Sequence, residues 1–252
     1  MRALGRDDLH RLRAERLHVG DGTGLAPGEL AAIESRWRPL VAPSEQDESE
    51  RFAVARPDGD TTGATAARWL FHLLGLSHRA AHVFLLTPAG LVVVQKRAAT
   101  KADWPGAWDM AVAGHVPQHE DGSEMTFLEG ALKEMEEELG LPADRLESLL
   151  AEGELTPLGP PSICLDRDDG RNPPFWNREV RQIFVATLSP EGLAALNPDP
   201  QEVAGVALFP PDEAWDLLAR QPVASGLRHS LPRCLDWLAR RRALPAVRLP
   251  AC

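Results

Sequence analysis

The sequence lacks several features that would assign the chain to a specialised class of protein. Only three of its 252 residues are cysteines, Cys164, Cys234 and Cys252, which are too few and too scattered for a disulfide framework or a zinc site. The chain has no basic run and a formal net charge of -10, which argues against nucleic acid as a partner. We therefore predict neither a disulfide-rich secreted protein nor a nucleic-acid-binding protein.

Long apolar segments are also missing. No window approaches the ~18 consecutive apolar residues that a membrane-spanning helix needs. The N-terminus, Met1 to Asp8, turns charged at once and lacks the apolar centre of a signal peptide. With so few cysteines, these absences predict a cytoplasmic protein with no membrane partner. At 44% hydrophobic and 25% charged residues, the composition is that of an ordinary globular protein.

The most informative segment present is an acidic run from Lys133 to Leu141. Its residues Glu134, Glu137 and Glu138 have the spacing i, i+3, i+4, which places them on one face of an α-helix. Three like charges on one face repel each other unless a hard divalent cation lies between them. The spacing therefore predicts a site for Mg²⁺ or Mn²⁺, and the alternative is a glutamate-rich surface helix without a metal.

An apolar seam on the same helix predicts which side packs into the core. The seam consists of Leu128, Ala131, Leu132, Met135 and Leu139. These positions follow helical spacing, as expected for a core-facing stripe. Glu129 and Glu136 lie on the other flank of the seam, away from the glutamate face, so we expect them to be solvated.

The acidic run resembles the second half of the Nudix box, G-x5-E-x7-R-E-U-x-E-E-x-G-U, in which U is a bulky aliphatic residue. The three glutamates of the predicted metal face match the metal-binding glutamates of the box. Lys133 stands where the family has Arg. A lysine keeps the positive charge but lacks the planar guanidinium that can bind a carboxylate with two parallel hydrogen bonds. Met125 stands where the family has Glu. The resemblance implies an inserted loop before the helix, in which Glu120 or Glu124 is the candidate to replace that carboxylate.

A second resemblance is to the isopentenyl-diphosphate isomerase branch of the Nudix superfamily. The segments that carry it are Ser77 to Leu86, Gln95 to Lys101 and Trp104 to Trp108. In that branch the residues matching Arg97 and Lys101 hold the substrate diphosphate. The resemblance therefore makes Arg97 and Lys101 candidate substrate-binding residues, and two nearby cations suit a diphosphate.

The same resemblance implies a second metal site. His78, His115 and Glu179 match three ligands of the isomerase metal site, whereas another acidic ligand position is occupied by Asn177. The isomerase nucleophile, a Cys, is replaced by Ala113, whose side chain has no ionisable proton to donate. The resemblance thus implies an isomerase-like scaffold that has lost isomerase chemistry.

The base that activates water is left open between three residues. Glu138, Glu179 and Glu202 are all candidates, because Nudix enzymes recruit this residue from different places. Arg178 and Arg181 are candidates for a phosphate contact, and the alternative for both is a solvated strand face.

The predicted fold class is α/β, an α+β Nudix fold with a mixed β-sheet between helices and a small N-terminal α+β extension. The predicted domains are an accessory region (1–70), a Nudix hydrolase domain (71–215) and a C-terminal helical extension (216–252). Within them, residues 64–74 are expected to be helical and residues 162–174 to form a loop over the site. Pro232 is expected to interrupt the last helix unless it lies in the first turn.

The resemblance implies a metal-dependent hydrolase that cleaves a diphosphate linkage in a small nucleoside or organic diphosphate. Asp109 to Gly114 also resembles a stretch of larger Nudix proteins, some of which act on damaged thiamin diphosphate, so the chain could instead be a thiamin diphosphate hydrolase. Two further functions are compatible with the same residues: an isopentenyl-diphosphate isomerase-like enzyme, and a non-catalytic Nudix domain that senses a ligand or binds a partner. The oligomeric state is left open, a homodimer included.

Overall fold

The computed structural model describes residues 1–101 and 103–243, apart from the side chains of residues 218, 219, 242 and 243. Its α-helices are α1 (Arg6–Val19), α2 (Pro27–Val41), α3 (Glu45–Ser49), α4 (Arg68–Leu74), α5 (Phe127–Leu139), α6 (Leu146–Leu149), α7 (Pro190–Ala195), α8 (Pro211–Arg220) and α9 (Ser225–Ala243). Its strands are β1 (Arg51–Ala55), β2 (Thr61–Ala67), β3 (Ser77–Leu86), β4 (Val92–Arg97), β5 (Trp108–Met110), β6 (Val112–His115), β7 (Thr156–Pro157), β8 (Ser162–Asp168), β9 (Phe175–Thr187) and β10 (Val203–Phe209). None of the helices in the described ranges is long and apolar enough to cross a membrane.

The described strands form two sheets. β1 and β2 pair antiparallel in the smaller sheet, where Phe52 lies opposite Ala66. The larger sheet has the order β10-β4-β3-β9-β7, with β5 beside β4, β6 beside β3 and β8 beside β9. The predicted fold class, a mixed sheet combined with helices, is confirmed.

The chain divides into two compact units. The first consists of Met1–His82, Ala113–Glu136 and Gly159–Ile183, and the second of Val83–Val112, Glu137–Leu158 and the chain from Phe184 onward. The chain passes from one unit to the other inside β3, β6, α5 and β9. The domain boundaries predicted at residues 70 and 215 stay a prediction.

The N-terminal residues are an integral part of the first unit. A hydrophobic core gathers apolar side chains from α1, α2, β1, β2 and α4, with Leu12, Leu30, Trp37, Phe52 and Phe71 among its fully or almost fully buried members. Burying each such side chain contributes about 1.5–3 kcal/mol. Residues 1–70 therefore share one hydrophobic core with the rest of α4.

Three secondary-structure expectations are wrong. Residues 64–74 are helical only in part, because β2 continues to Ala67 through its pairing with β1 and α4 begins one residue later. Residues 162–174 contain β8, whose seven residues all pair with β9; this ladder overrides a polar composition that is typical of a loop. Pro232 lies inside α9, which continues through it.

Helix α5 begins and ends with local signals that are visible in the sequence. The Thr126 amide donates to Glu129 Oε2 at 2.6 Å and the Glu129 amide donates to Thr126 Oγ1 at 3.2 Å, which is a reciprocal capping box. Gly140 follows the helix with a φ of 67°, the left-handed conformation that glycine adopts most easily at a helix C-terminus. The acidic run is therefore helical, as predicted.

The buried side of α5 differs from the predicted seam at its first turn. Ala131, Met135 and Leu139 are fully buried, but Leu128 is 44% exposed, so its place in the core seam is wrong. Leu128 lies in the first turn, where the helix begins at the surface. Glu129 and Glu136 are exposed, as predicted.

We predict that two cysteines resist alkylation in the folded protein. Cys164 and Cys234 are buried free thiols; burial raises the pKa of Cys164 and raises the pKa of Cys234 to about 12. Since the thiolate is the reactive form, iodoacetamide at mildly alkaline pH should label both only in denaturant, measured by peptide mass spectrometry. Equal labelling of Cys234 with and without denaturant would contradict its burial. The third cysteine, Cys252, lies outside the described residues.

Candidate functional site

Three histidine side chains meet in the first unit. His72 comes from α4, His78 from β3 and His115 from the end of β6. One ring nitrogen of each histidine lies within 4.8 Å of the others. The ring centroids of His78 and His115 are 4.9 Å apart. The structure thus brings together two predicted metal ligands and adds His72, which the sequence analysis missed.

His72 was missed because its surroundings in the sequence are apolar. Trp69, Leu70, Phe71, Leu73 and Leu74 are all fully buried, and one histidine in such a helix reads as a packing residue. Because α4 is buried on all sides, the polar ring of His72 cannot hydrogen-bond to water and needs a partner within the protein. A polar side chain in an otherwise apolar helix is therefore the sequence signal that could have identified His72.

Burial keeps the three histidines neutral. The pKa of His72 lies well below its usual value because burial disfavours the charged ring, and His115 and His78 add to the effect. Burial likewise lowers the pKa of His78 to about 4. The pKa of His115 is lowered by burial and then by the nearby Arg68 guanidinium. Neutral imidazole is the form that binds metal ions.

The hydrogen bonding of His78 directs one nitrogen into the cluster. His78 Nδ1 lies 3.2 Å from the carbonyl oxygen of Leu76, which assigns the ring proton to Nδ1 and the lone pair to Nε2. Nε2 of His78 and Nε2 of His72 are buried without a hydrogen-bond partner among the described residues. Such unsatisfied atoms are costly. Three converging imidazoles therefore fit a divalent transition-metal ion.

Glu179 of β9 lies at the edge of this cluster. Its Oε1 is 3.7 Å from His115 Nε2 and accepts a 2.7 Å hydrogen bond from Asn177 Nδ2, while Oε2 accepts from Arg181 Nε. Burial alone would raise the pKa of this carboxyl, but the charged Arg181 guanidinium reverses the effect and holds the pKa well below its ordinary value. Glu179 is therefore an anion beside three neutral rings.

Both arginines of β9 donate hydrogen bonds to other groups of the protein: Arg181 is buried and Arg178 is half-buried. Arg181 is 2% exposed, so a solvated strand face is wrong for this residue. Arg178 Nε donates to the carbonyl oxygen of Gly75 at 2.9 Å. Gly75 itself has a φ of 75° and lies against Trp176.

Glu134, the first of the three helix glutamates, also belongs to the first unit and approaches β6 closely. A Cβ atom on Gly114 would lie 2.1 Å from Glu134 Cδ, so a larger residue at 114 would require the Glu134 side chain to move. Lys133 Nζ lies 3.6 Å from Glu134 Oε1. The residue that replaces the family's Arg thus pairs with its neighbour.

Of the two candidate carboxylates in the loop before α5, Glu120 and Glu124, Glu124 contacts residues of neighbouring strands. Glu124 Oε1 accepts a hydrogen bond from Thr61 Oγ1, and Glu124 Oε2 lies 3.8 Å from an Arg79 nitrogen. Met125 is 8% exposed, and Glu120 is exposed. Glu124 therefore ties the loop to β2 and β3.

Glu137 and Glu138 belong to the second unit and differ in exposure. Glu138 is 3% exposed and its Oε2 accepts a 2.9 Å hydrogen bond from Gln95 Nε2 of β4. Glu137 is exposed. Gln95 was missed because nothing in the sequence indicates that an uncharged strand residue holds a helix carboxylate.

The two predicted diphosphate-binding cations are also in the second unit, where each contacts a carboxylate. Lys101 Nζ is hydrogen-bonded to Glu202 Oε2. Arg97 donates from Nη1 to Asp109 Oδ2 at 3.3 Å and from Nε to the Asp103 carbonyl oxygen at 3.1 Å. The structure thus places a predicted substrate-binding cation next to a predicted base.

Backbone hydrogen bonds join these residues to the end of α5. The Asp199 amide donates to the Glu138 carbonyl oxygen at 3.1 Å, and the Glu202 amide donates to the Asp199 carbonyl oxygen at 3.0 Å. The Ala98 amide donates to the Glu202 carbonyl oxygen at 2.9 Å. The loop before β10 therefore brings Glu202 beside the last turn of α5 and the end of β4.

Comparison with known proteins gives the chain a set of relatives. A family model described as NUDIX domain matches residues 76–234. Nudix hydrolase 3 of Arabidopsis thaliana is 30% identical over 179 residues, which cover 69% of this chain but only 21% of that protein. An isopentenyl-diphosphate Delta-isomerase of Cutibacterium acnes is 32% identical over 175 residues, which cover 68% of this chain and 79% of the relative. A crystal structure of a Deinococcus radiodurans protein aligns with a TM-score of 0.49 and 19% identity over 73% of this chain and 99% of its own.

We predict that Gly75→Ala destabilises the first unit through a clash as well as through backbone strain. A Cβ at Gly75 would lie 2.6 Å from Trp176 Cε3, whereas Gly63, with a similar φ of 80°, has no atom within 4 Å. Overpacking costs about 1–3 kcal/mol, so Gly75→Ala should lower the free energy of unfolding by that much more than Gly63→Ala, measured in urea. Equal losses would contradict the packing of Trp176 on Gly75.

Proposed function

Because this chain belongs to the Nudix superfamily, we propose that it is a hydrolase of the Nudix type that uses Mg²⁺ or Mn²⁺ to cleave a diphosphate linkage in a small nucleoside or organic diphosphate. The observation that carries the proposal is α5, a capped helix whose glutamates have metal-binding spacing. Glu138 on this helix is held by Gln95 and joined through Asp199 to Glu202 and Lys101.

Glu134, Glu137 and Glu138 are the residues that would hold the metal ion. When bound, the ion polarises the phosphoryl oxygens and lowers the pKa of a water molecule. The close approach of Glu134 to Gly114 and the Gln95 bond to Glu138 restrict two of the three carboxylates. This prior ordering favours metal binding, because less side-chain freedom is lost when the ion arrives.

Lys101 and Arg97 would neutralise the phosphate that does not react. The Lys101 and Glu202 side chains are 27% and 33% exposed. A diphosphate can therefore reach Lys101 and take the place of the Glu202 carboxylate. Arg97 uses two of its five donors in the bonds to Asp109 and Asp103. These bonds hold its guanidinium at the end of β4, where it can donate to a phosphate oxygen.

Of the three candidate bases, we favour Glu202. Glu179 has a lowered pKa, which makes it a weak proton acceptor near neutral pH. Glu138 is buried and already accepts from Gln95. Glu202 is the most exposed of the three and would be free to take a proton once a diphosphate replaces it on Lys101.

His72, His78 and His115, with Glu179, would hold a second divalent ion. Imidazole nitrogens suit a transition metal such as Zn²⁺ better than Mg²⁺. The similarity to proteins named isopentenyl-diphosphate Delta-isomerase supports isomerisation as a second candidate function. Ala113 argues against it, because that side chain cannot transfer a proton.

We predict that Glu137→Gln abolishes most of the activity, whereas Glu136→Gln, on the same helix, does not. The substrate is first identified by product release from nucleotide, coenzyme, thiamin and isoprenoid diphosphates with Mg²⁺ or Mn²⁺. A metal ion contributes several kcal/mol of charge stabilisation, so kcat/KM should fall by about a hundredfold or more for Glu137→Gln.

Three outcomes would contradict the proposal. Equal activity of the Glu137→Gln variant and the parent would remove α5 from catalysis. Conversion of isopentenyl diphosphate to dimethylallyl diphosphate, without hydrolysis of any diphosphate, would favour the isomerase. A chain that binds diphosphates but releases no product from any of them would favour a ligand-sensing domain.

We also predict that Lys101→Met weakens substrate binding more than it slows the chemical step. A charge-assisted hydrogen bond contributes about 1.5–3 kcal/mol, so KM for the diphosphate should rise by about tenfold or more, measured by steady-state kinetics. Lys96→Met is the matched control, because the Lys96 ammonium lies over Trp108 at 5.5 Å. A Lys101→Met variant with unchanged KM would remove Lys101 from the substrate site.

A further inference from the structure

The N-terminal region supplies an aromatic ring to the histidine cluster. Phe52 of β1 is fully buried, and its ring stacks on His78 with a centroid distance of 4.9 Å and an interplanar angle of 15°. The same ring lies 5.0 Å from His115 and 6.2 Å from His72. All three histidines therefore have Phe52 as a shared neighbour.

We propose that Phe52 is a positioning residue, which holds the His78 and His115 rings so that their metal-binding nitrogens converge. Residues 1–70 are then a structural part of the metal site. This inference rests on the proposed function, because that function gives the cluster its metal ion.

The ring of His78 is restrained in two different ways. The bond from Nδ1 to the Leu76 carbonyl oxygen is 3.2 Å long and selects the tautomer, but one hydrogen bond of this length does not by itself fix the plane of the ring. A histidine ring has broad torsional preferences at χ2. The near-parallel face of Phe52 removes this freedom by fixing the ring plane, so that Nε2 points into the cluster.

Phe52 is itself fixed in a way that suits this role. Its backbone pairs with Ala66 in the small sheet. Its ring meets Phe71 edge to face, with a centroid distance of 5.5 Å and an interplanar angle of 75°. Phe71 also meets the edge of His78 at 5.7 Å. The rings of Phe52 and Phe71 therefore pack together against His78. An aliphatic side chain at position 52 would lack the flat surface on which the His78 ring stacks.

A second residue of the same region holds the backbone around His72. Arg16 of α1 donates from Nε to the Leu73 carbonyl oxygen at 2.8 Å and from Nη2 to the Pro174 carbonyl oxygen at 3.3 Å. Leu73 follows His72 directly, and Pro174 precedes Phe175, whose ring lies 4.5 Å from His72. The N-terminal region thus restrains the cluster from two sides.

The test compares Co²⁺ binding by the full chain and its variants, monitored by visible absorption. A His72→Gln variant identifies the absorption that comes from the cluster. Loss of a residue that orients metal ligands typically costs 10–100-fold in metal affinity, so Phe52→Leu should weaken Co²⁺ binding by about tenfold or more. Phe84→Leu is the control, because Phe84 is equally buried and no ring contact joins it to the described histidines; it should change Co²⁺ affinity by less than about twofold.

Thermal unfolding of each variant shows whether the two Phe→Leu substitutions destabilise the protein to a similar extent. Unchanged Co²⁺ affinity in Phe52→Leu, or the same loss in Phe52→Leu and Phe84→Leu, would overturn the positioning role. If His72→Gln and the parent bind Co²⁺ identically, the metal role of the cluster fails instead.

A measurement without metal then decides the positioning role by itself. Imidazole ¹⁵N chemical shifts report the tautomer of His78, and the parent and Phe84→Leu should both show the proton on Nδ1. Phe52→Leu should show a mixture of tautomers, because a His78 ring that turns about χ2 moves Nδ1 away from the Leu76 carbonyl oxygen. Identical shifts in all three proteins would overturn the inference, whatever the metal result.

Discussion

The contact between Glu179 and Arg181 decides the chemistry of the first unit. A buried carboxylate would normally take up a proton, and a proton on Glu179 would remove the negative charge beside the three histidines. Arg181, only two residues further along β9, donates to Glu179 and keeps it ionised. The unit can therefore hold neutral imidazoles next to an anion, which is a donor set that suits a divalent transition-metal ion.

Much of the fold could be predicted from local patterns. The helix predicted from the acidic run is present as α5, which carries both its capping box and its terminal glycine in the sequence. β2 and β8 were misjudged because their residues do not favour strands by themselves. Glycine and alanine in β2, and the two aspartates in β8, disfavour strands and become strand residues only through pairing with β1 and β9.

In the candidate site, too, residues that belong to a short sequence motif could be predicted, whereas residues that act through a contact distant in the sequence could not. The helix glutamates and the Arg97 and Lys101 pair are predicted from spacing and resemblance within short segments. His72 and Gln95 were missed because their roles depend on residues far away in the chain: His72 meets His115, and Gln95 meets Glu138. A strand or helix residue that serves a distant side chain leaves no periodic signal near itself.

The close approach of Glu134 to Gly114 links two positions that lie on different elements. The Glu134 side chain fills the space that any larger residue at 114 would need, so substitutions at the two positions are not independent. Among sequences that share this arrangement, glycine at 114 and glutamate at 134 should vary together. A descendant that exchanged the glutamate for a smaller residue would gain room for alanine or serine on β6, so a change in the helix would permit a change in the neighbouring strand.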